Sequence, residues 1–308
     1  MNNFFEKQNE AGMIKLLAAQ RQLYATVKIW LTYSFLLTVI VPSIMSFIIF
    51  IISFIPGVVF PEMKSFLTVY GLGFLIINTF LLNHISSYKK MAARIQEEFD
   101  SRLYTMEWNT IVVGKKVSLS EIDSPGNKYL VREGDGSLKN WYMNRPISLV
   151  PSIMTLLCQS KNLGWDARLK RKTSFLLSCI MGINVALFAI AMLFAKPEFL
   201  SFIAFVAILL PLYQFYHRYV SENKKSAERA DGLKYAVESH LESIVEQGMI
   251  PDETTLSKFT RNVQDQIFSY RAAGNPVPDF IHKLNRGEDE ERYDRIFDEF
   301  QRKLMLLK

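Results

Sequence analysis

The chain has 308 residues, 49% of them hydrophobic, and a net charge of +6 from 36 basic and 30 acidic side chains. That length admits one large or two modest soluble domains, and so small an excess of positive charge argues against a nucleic-acid binder. Two cysteines alone make neither a disulfide framework nor a metal site, and no metal or cofactor is expected.

Residues 10–27 read as an amphipathic helix. Met13, Leu16, Leu17, Leu23, Tyr24 and Val27 recur at three- and four-residue spacing, with Lys15, Gln20 and Arg21 elsewhere. Such a helix lies in a headgroup layer or docks on a domain; its weakly basic polar face favours docking. The opening residues are too polar, and the first apolar run too long, for a cleaved signal peptide.

Four apolar runs follow, at residues 29–54, 65–85, 173–195 and 199–216, none containing Lys, Arg, Asp or Glu. A bilayer crossing needs about 20 apolar residues at ~1.5 Å rise each, and only the last run sits near the lower limit. The fold class expected is therefore mainly α, with four transmembrane helices in two hairpins and α-rich cytoplasmic middle and C-terminal regions. The corresponding domains are 1–28, 29–86, 87–172, 173–216 and 217–308. Basic residues gather in the N-terminal flank and the middle segment, whereas each hairpin loop holds one, Lys64 or Lys196. By the positive-inside bias both termini and the middle segment are cytoplasmic in a multi-pass membrane protein.

Within the spans, Pro42 and Pro211 predict kinks, and Pro56-Gly57 with Pro61 predicts the first hairpin turn. Asn78, Asn83, Asn184 and Gln214 are the strong polar side chains there. They either hydrogen-bond between helices or line a water-filled pore in an assembled state.

The middle segment opens with a helix over 87–105 that continues out of the membrane. A β-prone piece at 111–113 follows, then turns at Gly114 and at Pro125-Gly126, and a loop around Gly134 and Gly136. A further helix from Ser152 runs on toward the third span. Three amphipathic stripes fill the C-terminal region: Ala227 to Ile244, Leu256 to Tyr270, and Tyr293 to Leu304. The acidic run 288–291 reads as the solvated start of the last helix.

Enzyme signatures are lacking: there is no phosphate-binding Gly-Lys loop, no nucleophile elbow and no His-Glu-x-x-His. The middle segment does gather three of the four tryptophans, Trp108, Trp141 and Trp165, with Tyr142. Near them in sequence lie Arg102, Arg145, Arg168, Asp166 and the amides Asn109, Gln159 and Asn162. Aromatic faces stack on bases and arginine forks grip phosphates, so the inventory suits a nucleotide site; it suits the core of a small domain equally.

Several stretches share one resemblance: "KQNEAGMIKLLAAQRQLYATVK" before the first span, "IQEEFDSRLYTMEWN", "WYMNRP" followed by "CQSKNLGWDARLKRK", and "VQDQIFSYR" followed by "PVPDF". In order and content they resemble the SMODS-associated four-transmembrane effectors. These are bacterial proteins described as pore-forming and encoded beside second-messenger nucleotidyltransferases in anti-phage operons. At Ser160 the family pattern has Arg, which leaves Arg168 and Lys170 as phosphate contacts there.

The resemblance implies a non-enzymatic membrane effector. A cyclic di- or oligonucleotide from a partner nucleotidyltransferase would gate it, and it would act on the lipid bilayer, as a homo-oligomer, by abortive infection. A membrane scaffold whose helical tail binds a protein, and a channel or transporter outside immunity, stay open as other readings.

Overall fold

In a computed structural model, the structure describes residues 4–52, 55, 61–147, 149–195 and 199–305. The described residues are overwhelmingly helical and contain no strand. In chain order the helices are α1 (Phe4–Lys7), α2 (Ala11–Phe35), α3 (Val41–Ile52), α4 (Pro61–Tyr104), α5 (Thr110–Val113), α6 (Leu119–Glu133), α7 (Pro151–Ala195), α8 (Phe199–Phe215), α9 (Glu222–Gln247), α10 (Glu253–Ala273) and α11 (Asp279–Met305). Two compact units share them. The first comprises residues 1–26, 87–170 and 225–308, and the second residues 27–86 and 171–224.

The second unit is apolar outside as well as inside. Phe80, Phe175 and Leu193 are more than 70% exposed, a distribution that water penalises and lipid does not. Three helical stretches, Ala11–Met45, Val69–Tyr104 and Pro151–Phe194, are long and apolar enough to cross a membrane. α8, a further apolar helix, has 17 residues. The protein is a mainly-α membrane protein with transmembrane helices.

π-helical turns accompany the two span prolines. Residues Leu36–Ile40 adopt one just before Pro42, and Tyr216–Ser221 adopt another shortly after Pro211. Pro42 cannot donate to the Thr38 carbonyl four residues back, and the widened turn around Thr38 redistributes that freed acceptor. The predicted turn at Pro56-Gly57 lies outside the described residues.

The first unit is a soluble-type helical domain made from three separated chain segments. Leu16 and Leu17 of α2, Ile95, Phe99 and Leu103 of α4, Leu156, Leu157 and Leu163 of α7, and Val237, Ile267 and Phe297 of the C-terminal helices form one core. The N-terminal amphipathic helix thus docks, with Met13, Leu16, Leu17 and Leu23 buried in that core. All three C-terminal stripes face it too.

Three local expectations are corrected. The β-prone piece at 111–113 belongs to α5, because the Asn109 side chain caps the amides of Ile111 and Val112 and holds them helical. Pro125 and Gly126 sit inside α6, not in a turn. A capping box between Ser118 and Glu121 starts that helix ahead of the proline. Gly126 then faces α2 so closely that a Cβ would stand 3.1 Å from the Lys15 carbonyl oxygen. Finally, residues 288–291 lie in the middle of α11, which begins at Asp279. Its first turn packs Ile281 against Leu169 and Val277, and that packing sets the helix start well ahead of the acidic run.

Candidate functional site

The densest polar chemistry in the first unit lies where α4, α7 and α10 meet. Glu97 and Asp100 face inward from α4 and are fully buried. Asp100 Oδ2 accepts from Arg271 Nη1 at 2.6 Å and from Gln264 Nε2 at 3.0 Å, while its Oδ1 accepts from the Tyr142 hydroxyl at 2.7 Å. Glu97 Oε1 accepts from Arg261 at 2.7 Å and from Ser101 at 3.1 Å; its Oε2 accepts from Gln264 at 2.8 Å. Gln159 donates to the Thr260 carbonyl and to Gln264 Oε1, both at 3.0 Å. Arg261 also reaches Asp265 at 2.6 Å, and Asp265 accepts from Asn109 at 2.7 Å.

Charges taken out of water persist only when partnered this thoroughly. Burial pulls the Arg271 pKa down, but Asp100, Tyr142 and Tyr270 raise it above its ordinary value, so the guanidinium stays charged. Burial, and then Asp100, push the Tyr142 hydroxyl well up, which keeps it a neutral donor. One acceptor is left over: Gln159 Oε1 is buried and has no hydrogen-bond partner among the described residues.

An open cleft of about 430 Å³ lies beside this network, within the roughly 300–1,000 Å³ range of small-molecule sites. Lys7, Glu10, Met13, Ser101, Arg102 and Thr105 are among its lining residues. Ser101 belongs to both features, donating to Glu97 from the cleft wall. Arg102 is half exposed and donates to Glu98 at 2.8 Å. Lys7 donates to the Thr105 hydroxyl at 3.1 Å. Thr105 adopts φ 58, where a β-branched residue is strained, and ends α4 with the Met106 amide bonded back to the Ser101 carbonyl at 2.8 Å. Local strain of this kind collects at binding sites.

The residues singled out in the sequence divide sharply. Tyr142, Gln159 and Asn162 come together, Asn162 donating to the Tyr142 hydroxyl at 2.9 Å, and Asn109 joins through Asp265. Arg102 lines the cleft. The tryptophan rings are dispersed and packed. Trp108 sits with Val113 and Phe268 and donates to the Gly114 carbonyl at 2.8 Å. Trp141 lies beneath the Arg21 guanidinium at 4.9 Å, and Trp165 stacks on His282 at 5.5 Å. Arg145 pairs with Asp298, and Asp166 with Lys170 at 2.7 Å. Arg168 is half-buried and already engaged.

The sequence reading missed Glu97, Asp100, Arg261, Gln264, Arg271 and Lys7. A signal for two of them exists: Gln264 and Arg271, with Thr260, share the α10 face of Leu256, Val263 and Ile267, so polar groups stand where the helical period demands burial.

In the second unit, Asn78 is buried between Ser34, which donates to its Oδ1 at 3.1 Å, and Gln214, which accepts from its Nδ2 at 2.7 Å. Asn184 accepts from Ser43 and donates to the Ile180 carbonyl at 2.8 Å. Asn83 is exposed.

The family described as the SMODS-associating 4TM effector domain matches residues 2–300. A curated relative from Bacillus cereus (strain VD146), described as "Probable CBASS effector molecule", is 28% identical over 302 residues, covering 94% of this chain and 96% of its own. No solved structure matches.

Proposed function

This chain belongs to the SMODS-associating 4TM effector family, and from that premise we propose that it is a membrane effector of bacterial anti-phage defence. A cyclic di- or oligonucleotide made by a partner nucleotidyltransferase binds its first unit and alters the packing of its membrane helices. The inner membrane then becomes leaky, through a pore or a larger homo-oligomeric lesion, and the infected cell dies or stops growing. The protein has no catalytic role in this reading, and both termini lie in the cytoplasm. The similarity to a CBASS effector supports the anti-phage context.

One observation carries the reading. α4 and α7 each run unbroken from the buried polar network into an apolar span: α4 holds Glu97, Asp100 and Arg102 near one end and Asn78 toward the other. A ligand phosphate arriving at Arg102 competes with Glu98 for the guanidinium, and a ligand touching Ser101 competes with Glu97. Either exchange biases the position of α4. Binding acts through its differential affinity for two arrangements, so it opens the protein or holds it shut according to which arrangement it prefers.

The test is dye influx in bacteria producing the protein alone and together with a cyclic-dinucleotide synthase. Permeabilisation that changes with the nucleotide is expected. Membranes that stay intact under both conditions would sink the proposal.

A further inference from the structure

We infer that the start of α11 is a lipid-contact surface: Phe280 and Leu284 insert into the headgroup layer of an anionic bilayer, flanked by Lys283. The inference rests on the transmembrane spans and not on nucleotide gating.

The argument begins with what holds the α10–α11 loop. Lys89 Nζ donates to the Ala273 carbonyl and to Asn275 Oδ1, both at 2.9 Å. Lys170 Nζ donates to Ser226 at 2.7 Å and lies over the Tyr270 ring at 4.9 Å. It also passes so near Gly274 that a Cβ there would stand 2.7 Å from it. Leu169 packs on Val277 and Ile281. Lys89, Lys170 and Ser226 each lie within three residues of a point where the chain leaves the first unit, at 86/87, 170/171 and 224/225. The loop and the first turns of α11 therefore sit at the end of this unit from which its long helices continue into the apolar segments.

At that end α11 has two faces. Ile281 and Asn285 are buried against the unit, while Phe280 and Leu284, also four residues apart, are 54% and 80% exposed. Two large apolar side chains on one exposed helical face are costly in water and favourable at a membrane interface. The charge around the same end matches an anionic surface. Lys90, Arg171, Lys172, Lys224 and Lys225 are exposed at three of the four crossings, and Lys283 is exposed beside Leu284. Each basic side chain near anionic headgroups adds attraction that decays within about a Debye length. Exposed apolar anchors beside Lys283, at a basic end of the unit, fit a lipid surface better than a protein partner.

The experiment uses the full chain with Cys179→Ser, since Cys158 is fully buried and inaccessible to label. An environment-sensitive fluorophore is attached at Leu284→Cys, and in a second protein at Phe280→Cys. Met249→Cys serves as reference because it lies beyond the far end of α9, about 33 Å of helix from Lys225. Each protein is reconstituted into phosphatidylcholine vesicles with and without phosphatidylglycerol.

At 280 and 284 we expect blue-shifted emission and several-fold stronger quenching by a headgroup-level lipid nitroxide than at 249. Phosphatidylglycerol should strengthen both effects, and Lys283→Glu should weaken them. Emission and iodide quenching equal to those at 249 would overturn the inference. Self-quenching between labelled copies, or disulfide capture of two chains through position 284, would overturn it in favour of a second copy. Because no nucleotide or conductance is read, failure here is distinct from failure of the proposed gating.

Discussion

Arg271 and Asp100 meet at 2.6 Å with both side chains buried, although 171 residues separate them in the chain. Such a pair contributes little when intact but is expensive to break, because removing one partner strands a charge in the core. Arg271→Met is expected to cost about 3–5 kcal/mol of stability. Replacing both residues by apolar side chains of similar size should cost less than Arg271→Met alone. Thermal unfolding of the detergent-solubilised variants measures this. A double variant no better than the single one would show that the two residues do not act as a pair.

Arg102 offers a phosphate the exposed guanidinium of the cleft. If a cyclic nucleotide binds there, Arg102→Ala should weaken it by about 1.5–3 kcal/mol, roughly ten- to a hundredfold. Arg145→Ala, which removes only an exposed pair with Asp298, should leave affinity unchanged. Calorimetric titration with a cyclic dinucleotide separates the two, and equal affinities for Arg102→Ala and the wild type would move the site elsewhere.

Glu121 gives the fold a pH dependence of known sign. Its hydrogen bonds from the Ser118 amide and side chain, and its closeness to Arg94, hold the carboxylate below its ordinary range. A pKa lower in the folded than in the unfolded chain means stability that is present above the unfolded value and lost as pH falls through the folded one. Glu121→Gln should flatten that acid slope while keeping α6 capped. Unfolding midpoints measured across the carboxylate range of pH check it; an unchanged slope would assign the acid sensitivity to other groups.

Asn78 bridges Ser34 and Gln214 within the membrane unit. Asn78→Leu should cost about 0.6–2 kcal/mol, the usual range for an interhelical hydrogen bond in lipid. If the side chain only joins helices, the loss appears in thermal stability with dye influx unaltered. A change in influx at unchanged stability would instead identify it as pore-lining. Asn83→Leu, at an exposed position, should alter neither.

The apolar runs were readable because a bilayer-facing helix announces itself in consecutive residues, and the three C-terminal stripes because their period is local. Pro125-Gly126 misled because the turn signal is intrinsic to two residues, whereas the capping box that overrides it begins seven residues upstream, at Ser118. The pairing within the polar network was illegible for a different reason. Most of its bonds join positions more than 100 residues apart, as Gln159 to Gln264 and Asp100 to Arg271 do, and no window along the chain contains such a pair. The tryptophans illustrate the converse: clustered in sequence, they are separated in space, and Trp108, Trp141 and Trp165 each have a different neighbour.

The first unit is assembled from residues 1–26, 87–170 and 225–308, which imposes an order on synthesis. Leu16 and Phe99 wait for Val237, Ile267 and Phe297 before their common core can close, and contacts so distant form late. Both apolar hairpins precede residue 225, so they have been translated, and can be handed to the membrane, before that domain can finish folding. A chain truncated within its last 80 residues would hold the membrane segments without the closed domain that is proposed to govern them. Toxicity of such truncations, in cells that tolerate the full chain, would expose the domain as a restraint.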